Sequence, residues 1–362
     1  MRLVKQRISF MSSPLVSVLV PCYNVEKYIR KCLESLTSQT LSDFEVICIN
    51  DGSVDRTKEI IEEFVDQDPR FVLLNKANSG YGASMNLGLS EAKGEYIAIL
   101  ESDDFMDASC LKKLVDLAEP AKADAVKANF FFYWESPKEG NEKNSLITFD
   151  EPKAIEPKKF YELFWYMPSI WSAIYRREFI ESNSIRFLET PGASYQDLAF
   201  TFKVWSLAKT VVLTPDAFVH YRQDNENSSI NSPGKVFCVC DEFDEMDRFL
   251  ESFKADKELW QIKTRLMFDS YSWNYERLAD NLRTQFFPRM CNDLRSASEQ
   301  GLINYDFFLP GAELELRLLL KDPDEYVRWK KVKEISPSKF KTLAEYLKAG
   351  GFSLLKKRLM LK

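Results

Sequence analysis

Between residues 16 and 100 the chain alternates four times between a short apolar run and a stretch of helical periodicity. The runs are Val16 to Val20, Phe44 to Ile49, Phe71 to Leu74 and Tyr96 to Leu100. Between them Ile29, Cys32, Leu33 and Leu36, then Ile60, Ile61, Phe64 and Val65, then Met85, Leu87 and Leu89, recur at the spacing of one helix face. Repeated strand-helix alternation predicts a parallel, doubly wound sheet with right-handed crossovers. In such a sheet the loops after the strands share one edge, which is where open α/β sheets take their ligands.

The fourth run stops abruptly at Glu101-Ser102-Asp103-Asp104. Alternate residues of an extended chain share a face, so Glu101 and Asp103 point one way and Ser102 and Asp104 the other. Such a pair suits a hard divalent cation held through oxygen. The alternative is a helix cap, with Asp104 or Asp107 opening the helix that Leu111, Leu114, Val115 and Leu117 suggest.

Further on, 125 to 133 reads as a strand, 135 to 159 as a polar excursion, 160 to 166 as a helix and 171 to 175 as a strand returning to the sheet. The loop from Pro191 to Asp197 opens a helix carrying Phe200, Val204 and Leu207, and two short strands, 211 to 213 and 218 to 221, close the domain. A polar linker, 223 to 233, leads to helices marked by Cys240 to Phe253, by Ile262, Leu266, Trp273 and Leu278, and by Leu282 to Leu294. The last stretch, 331 to 362, holds nine Lys or Arg against two Glu. Two readings stand for it: a basic amphipathic surface for anionic lipid, with Phe352, Leu354, Leu355, Leu359 and Leu361 dipping into the interface, or a solvated terminal helix.

Composition narrows the function. A net charge of −6 argues against nucleic acid as principal partner. Seven scattered cysteines suggest reduced core thiols and a cytosolic setting, and a single histidine, His220, excludes a histidine-rich metal centre. No run approaches the roughly 20 apolar residues of a membrane span, so membrane contact is expected to be peripheral, on the inner face. Met1 to Ser13 lacks the apolar core of a signal peptide and reads as a short tail, with Met11 an alternative start.

Five pieces now stand in order: Val20-Pro21-Cys22-Tyr23-Asn24, Asn50-Asp51-Gly52-Ser53-Val54-Asp55, the Asn78 to Gly88 stretch, Glu101-Ser102-Asp103-Asp104 and Tyr195-Gln196-Asp197. Together they resemble the family 2 type glycosyltransferases of GT-A fold, the inverting kind found in bacterial surface-polysaccharide synthesis. The resemblance covers about residues 14 to 222. It implies a Rossmann-like, mostly parallel sheet with flanking helices at 14 to 222, after a tail at 1 to 13, and leaves 223 to 362 as a helical carboxyl part. Pro21, Cys22, Tyr23 and Asn24 would wall the base and ribose, Asp51 would bond the base edge, and Ser53, Asn78, Gly80 and Ser102 would complete the nucleotide-sugar pocket. Asp103 would bind Mn²⁺ or Mg²⁺, with Glu101 supporting the ribose or the metal. Arg222 and His220 would reach the diphosphate or the metal, His220 reading equally as a core residue. Asp197 would be the catalytic base, with a helix cap as its alternative.

A sugar nucleotide leaves as a diphosphate, whose charge a cation can neutralise, and an acceptor hydroxyl needs a carboxylate to take its proton. The expected reaction is transfer from a nucleotide sugar, UDP by default, to a glycan or lipid-linked saccharide by single displacement with inversion. Trp171, with Trp165, Tyr166 and Tyr175, is placed on the acceptor side, the bland reading of all four being core. Two positions depart from the family pattern: Glu101 stands where Asp is usual, and Gln196 is neutral where an acid is common. The competing functions are a nucleotide-sugar-binding scaffold without turnover and a metal-dependent nucleotidyltransferase. The helical part is left to cover the acceptor, dock the membrane or pair two copies.

Overall fold

The computed structural model describes residues 13 to 136, 139 to 225, 235 to 335 and 339 to 360. Two compact units divide the chain at Ser232 and Pro233. The tail before Ser13 and most of the expected linker lie outside the described residues.

The first unit is built on one ten-stranded sheet. Its parallel half comprises β1 (Val16–Cys22), β2 (Phe44–Asn50), β3 (Phe71–Asn75) and β4 (Tyr96–Ile99), in the order β3-β2-β1-β4. Helices α1 (Ile29–Thr37), α2 (Thr57–Gln67) and α3 (Tyr81–Glu91) make the crossovers. Every residue of β1 is buried, as a central parallel strand covered on both faces requires. The chain turns to opposite sides of β1 to reach β2 and β4, so the crevice of a topological switch point opens beyond Cys22.

Beyond β4 the sheet becomes mixed. β9 (Ala173–Arg176) runs antiparallel between β4 and β6 (Ala125–Trp134), and β10 (Val211–Arg222) lies parallel to β6. The parallel reading from four repeats therefore holds for one half, and β9 reverses direction because 171 to 176 returns to the sheet without a crossover helix. The 171 to 175 strand begins only at Ala173, since 170 to 172 form a 3₁₀ turn. The two strands expected at 211 to 213 and 218 to 221 are one, β10, whose register slips between Thr214 and Ala217. Pro215 sits in that slip, and a residue with no N–H to give is tolerated at such a bulge.

Phe105 and Met106 form a two-residue strand, β5, antiparallel to β10. It leads into α4 (Cys110–Ala121). In the excursion, β7 (Gly140–Asn144) pairs with β6 and β8 (Lys153–Ile155) with β10. Short α5 (Glu162–Trp165) and α6 (Arg177–Ser182) flank β9, and α7 (Gln196–Leu207) precedes β10.

The second unit is helical throughout its described residues: α8 (Cys238–Ser252), α9 (Lys257–Arg277), α10 (Asp280–Glu299), α11 (Pro310–Lys321), α12 (Pro323–Ile335) and α13 (Lys339–Met360). Its core takes Phe243, Met246, Phe268, Tyr271, Phe286 and Leu294, whereas Trp273 is 45% exposed with Arg277 over its ring. Part of the basic stretch joins this core. Leu354 is buried, and Lys357 bonds Glu313 Oε2 at 2.8 Å and the Tyr305 carbonyl. Lys356, Arg358, Leu359 and Met360 remain exposed, while Phe352 and Leu361 lie outside the described side chains. No helix among the described residues is long and apolar enough to cross a membrane.

Candidate active site

The loops after β1 and β2 are cross-linked. Asn24, at φ +52°, accepts from the Val54 N–H at 2.9 Å, and its own N–H donates to Ser53 Oγ at 3.0 Å. This leaves Tyr23 half exposed above buried Pro21 and Cys22. Asp51 is buried and faces the loop after β3. Its carboxylate accepts the N–H groups of Ser79 and Gly80, at 2.9 and 3.0 Å, and pairs with Lys76. Asp51 thus shapes the entry to α3, and Asn78 stays exposed beside it.

Gly80 and Gly82 are fixed by close approach. Gly80 has φ +95°, and a Cβ there would stand 2.6 Å from the Thr190 carbonyl oxygen. A Cβ on Gly82 would overlap the Leu188 carbonyl oxygen. The 186 to 195 loop is consequently strapped to α3. Tyr81 N–H donates to Gly192 O at 2.8 Å, and the Asn86 amide exchanges two bonds with the backbone of Phe187, both 2.9 Å. Gln196 closes the strap: it accepts from Ser194 N–H and donates to Thr190 Oγ1 at 2.9 Å. A carboxylate at 196 would offer no N–H to Thr190, which accounts for the neutral residue beside Asp197. Gly82→Ala is expected to destabilise the protein by about 1–3 kcal/mol, because its obstacle is backbone. Urea unfolding reads it, and a midpoint equal to wild type would refute the packing argument.

The acidic turn follows β4, closed by Asp104 N–H to Glu101 O at 3.0 Å. Ser102 and Asp104 are buried, whereas Glu101 and Asp103 are only partly so. Asp103 Oδ2 accepts from Asn225 Nδ2 at 2.8 Å. Glu101 Oε1 accepts from the Tyr81 hydroxyl at 2.6 Å. Burial pushes the Glu101 carboxyl up to about 8; the Tyr81 bond opposes this, and the charges of Asp103 and Asp197 add to it. Asp104 Oδ1 takes the Arg222 N–H at 2.8 Å, while Oδ2 is buried with no hydrogen-bond partner, and burial holds this carboxyl far above its usual range.

Asp197 lies in the first turn of α7, after Tyr195 in the left-handed region at φ +59°. Burial raises its carboxyl to about 6, against the N–H groups of Leu198 and Asp197 itself and the charge of Lys127. Tyr81, Glu101, Tyr175 and Tyr221 all feel its charge, so α7 brings Asp197 to the acidic turn.

Three expected residues are placed differently. His220 is not available to a metal: Nε2 meets Asp107 Oδ1 at 3.1 Å, Nδ1 meets Asn141 Oδ1 at 2.8 Å, and the ring is stacked against Phe105 and Phe131. Its register partner on the neighbouring strand is Phe105. Trp171 is core, 8% exposed between Phe130 and Tyr221, and Tyr175 is fully buried. Trp165 and Tyr166 keep partial exposure. Arg222 is turned inward, its Nε on Asp103 O at 3.0 Å and its Nη1 on Glu135 at 2.7 Å, under the Tyr28 and Tyr133 rings. It clamps the acidic turn.

Among the described residues no three His, Cys, Asp or Glu side chains group to hold a metal ion. The oxygen donors present in the turn are the Glu101 and Asp103 carboxylates, the ligand type a hard divalent cation takes. Sequence reading passed over Tyr81, Lys76, Lys127 and Asn225. Only Lys127 left a trace, as a lone cation inside the apolar run of 125 to 134.

Residues 17–182 match the family model described as Glycosyl transferase family 2. EpsJ, an uncharacterised glycosyltransferase of Bacillus subtilis, is 33% identical over 231 residues, 61% of this chain and 64% of EpsJ. The chain thus spans less than two thirds of that relative's length. An uncharacterised glycosyltransferase of Haemophilus influenzae is 27% identical over 73% of this chain and 97% of its own. Residues 1–349 of Staphylococcus aureus TarS, solved with UDP-GlcNAc, superpose with a TM-score of 0.72 at 20% identity, over 88% of this chain and 91% of that one. That likeness shows the GT-A type fold, helical carboxyl part included.

Proposed function

We propose that this chain, which carries a glycosyl transferase family 2 domain, moves a sugar from a UDP-sugar to a hydroxyl of a growing surface glycan. The observation that carries the reading is the convergence on residues 79 to 81. Asp51 holds the N–H groups of Ser79 and Gly80, Tyr81 bonds Glu101, and the Tyr81 N–H holds the strap that leads to Asp197. The nucleotide side, the acidic turn and a buried base are thereby built around one helix start. TarS, of like fold, was solved with UDP-GlcNAc and with UDP, which supports UDP as the donor's nucleotide.

In this mechanism Tyr23 and the cross-linked loops after β1 and β2 bind the nucleoside. Asp103 and Glu101 would hold Mn²⁺ or Mg²⁺, which when bound neutralises the diphosphate leaving group. Asp197 takes the acceptor proton as the acceptor oxygen bonds to the anomeric carbon and the bond to the diphosphate breaks on the opposite face, inverting the configuration. A carboxyl near 6 is ionised at neutral pH yet more basic than an ordinary aspartate, as general-base work favours. Exposed Lys356, Arg358, Leu359 and Met360 suit a peripheral, anionic membrane surface carrying a lipid-linked acceptor.

Calorimetry with UDP, GDP, dTDP and CDP, each with Mn²⁺ and with chelator, tests the donor side. UDP is expected to bind with Mn²⁺ and to lose most affinity with chelator. Binding of none of the four would overturn the reading.

A further inference from the structure

Lys127 has no place in the mechanism above, yet its side chain is only 2% exposed. Its Nζ donates to Ser169 O and Ser169 Oγ, both at 2.5 Å, and to Ser172 Oγ at 2.6 Å. The serine hydroxyls also reach Met167 O at 3.3 Å, Ser169 O at 3.1 Å and each other at 3.0 Å. Three partners around Nζ match the three donors of an ammonium. The cluster contains no carboxylate, so the charge it stores is uncompensated within it.

Sheet register shows where that charge acts. Lys127 lies opposite Ala173 and Ala125 opposite Tyr175, and directly paired residues share a face with those two along the strand. Tyr175 meets the Phe200 ring of α7 edge-on, centroids 5.5 Å apart. Lys127 thus emerges on the sheet face that α7 covers, and Asp197 is one helical turn before Phe200. The electrostatics agree. Against a burial that lowers the Lys127 ammonium to about 7, Asp197 raises it, and Lys127 in turn lowers Asp197. The charge of Asp197 is also felt by Glu101, Tyr81, Tyr175 and Tyr221, from the acidic turn, α3, β9 and β10, none of which is a cation. Among the described residues Lys127 is the cation whose charge lowers Asp197.

We propose that Lys127 is a positioning residue for the base: an ammonium fixed by Ser169 and Ser172 beneath the start of α7 that keeps the Asp197 carboxylate ionised. The inference rests on Asp197 being the base. Lys127→Met, matched in length, removes the charge, and Lys127→Gln does so while keeping a donor toward the serines. Either variant that folds is expected to move the acid limb of the kcat profile to higher pH by about one unit, with UDP affinity within twofold of wild type. An acid limb that stays in place in an active variant would overturn the proposal, because loose packing alone would lower kcat at every pH. A double-mutant cycle with Asp197→Asn, read by urea unfolding at pH 6.5, between the two values, where both groups are mostly charged, and needing no turnover, supplies the second reading. Coupling between the two sites is expected, and strict additivity would overturn the proposal. If wild-type protein transfers no sugar while coupling is present, the assigned function falls and the charge coupling stands.

Discussion

Asp197→Asn is expected to lower sugar transfer by about 10²–10⁴-fold, the span general acid–base catalysis supplies, while UDP binding stays within twofold. The amide keeps the shape and the helix-start position but cannot take a proton. Stability should move the other way. Asp197 ionises near 6 in the folded protein, above its ordinary value of 3.8. A carboxyl whose folded pKa is raised binds its proton more tightly folded than unfolded, so folding weakens as pH climbs from about 4 to about 6, and the deficit persists above. The Asn variant escapes it. Its melting temperature should exceed wild type at pH 8 and converge with it near pH 4. Wild-type activity should fall as pH drops through about 6. Transfer retained in the Asn variant would remove Asp197 from the chemistry, and a melting temperature below wild type at pH 8 would contradict the cost of burying its charge.

Opposed effects on rate and stability are what a residue kept for chemistry should show. The acids at 51, 101 and 103 stand just beyond apolar runs, so the chain order marks them, whereas Asp197 is singled out by the resemblance of its motif. The parallel half of the sheet was legible for the same reason, since strand and helix periods repeat locally. Residues that depend on register were not. Lys127 becomes part of the site only because β6 pairs with a strand arriving from 173 to 176, and Tyr81 only because Asp51 and Gly80 set the start of α3. For His220 and Trp171 a functional and a core reading stood side by side, and pairing of His220 with Phe105 and packing of Trp171 on Phe130 favour the core. Burial of an aromatic or imidazole ring is a tertiary fact that a lone residue does not announce.

Asp103→Ala should erase the metal dependence of donor binding and leave the fold intact. Asp103 is only partly buried, and its side-chain partner is Asn225. Its removal therefore leaves no buried charge unpaired, unlike a change at Asp104, whose carboxyl is 1% exposed and takes the Arg222 N–H. Changes outside a metal's direct ligands typically weaken affinity by about 10–100-fold, so loss of a direct ligand is expected to exceed that for UDP measured with Mn²⁺. With chelator the variant and wild type should bind alike. Glu101→Gln separates the two acids: it removes a charge and keeps an acceptor for the Tyr81 hydroxyl, so its loss of affinity should be the smaller. If Asp103→Ala binds UDP with Mn²⁺ as wild type does, the cation is not held by this turn. A loss of affinity that is equal with Mn²⁺ and with chelator would instead make Asp103 a direct contact of the donor.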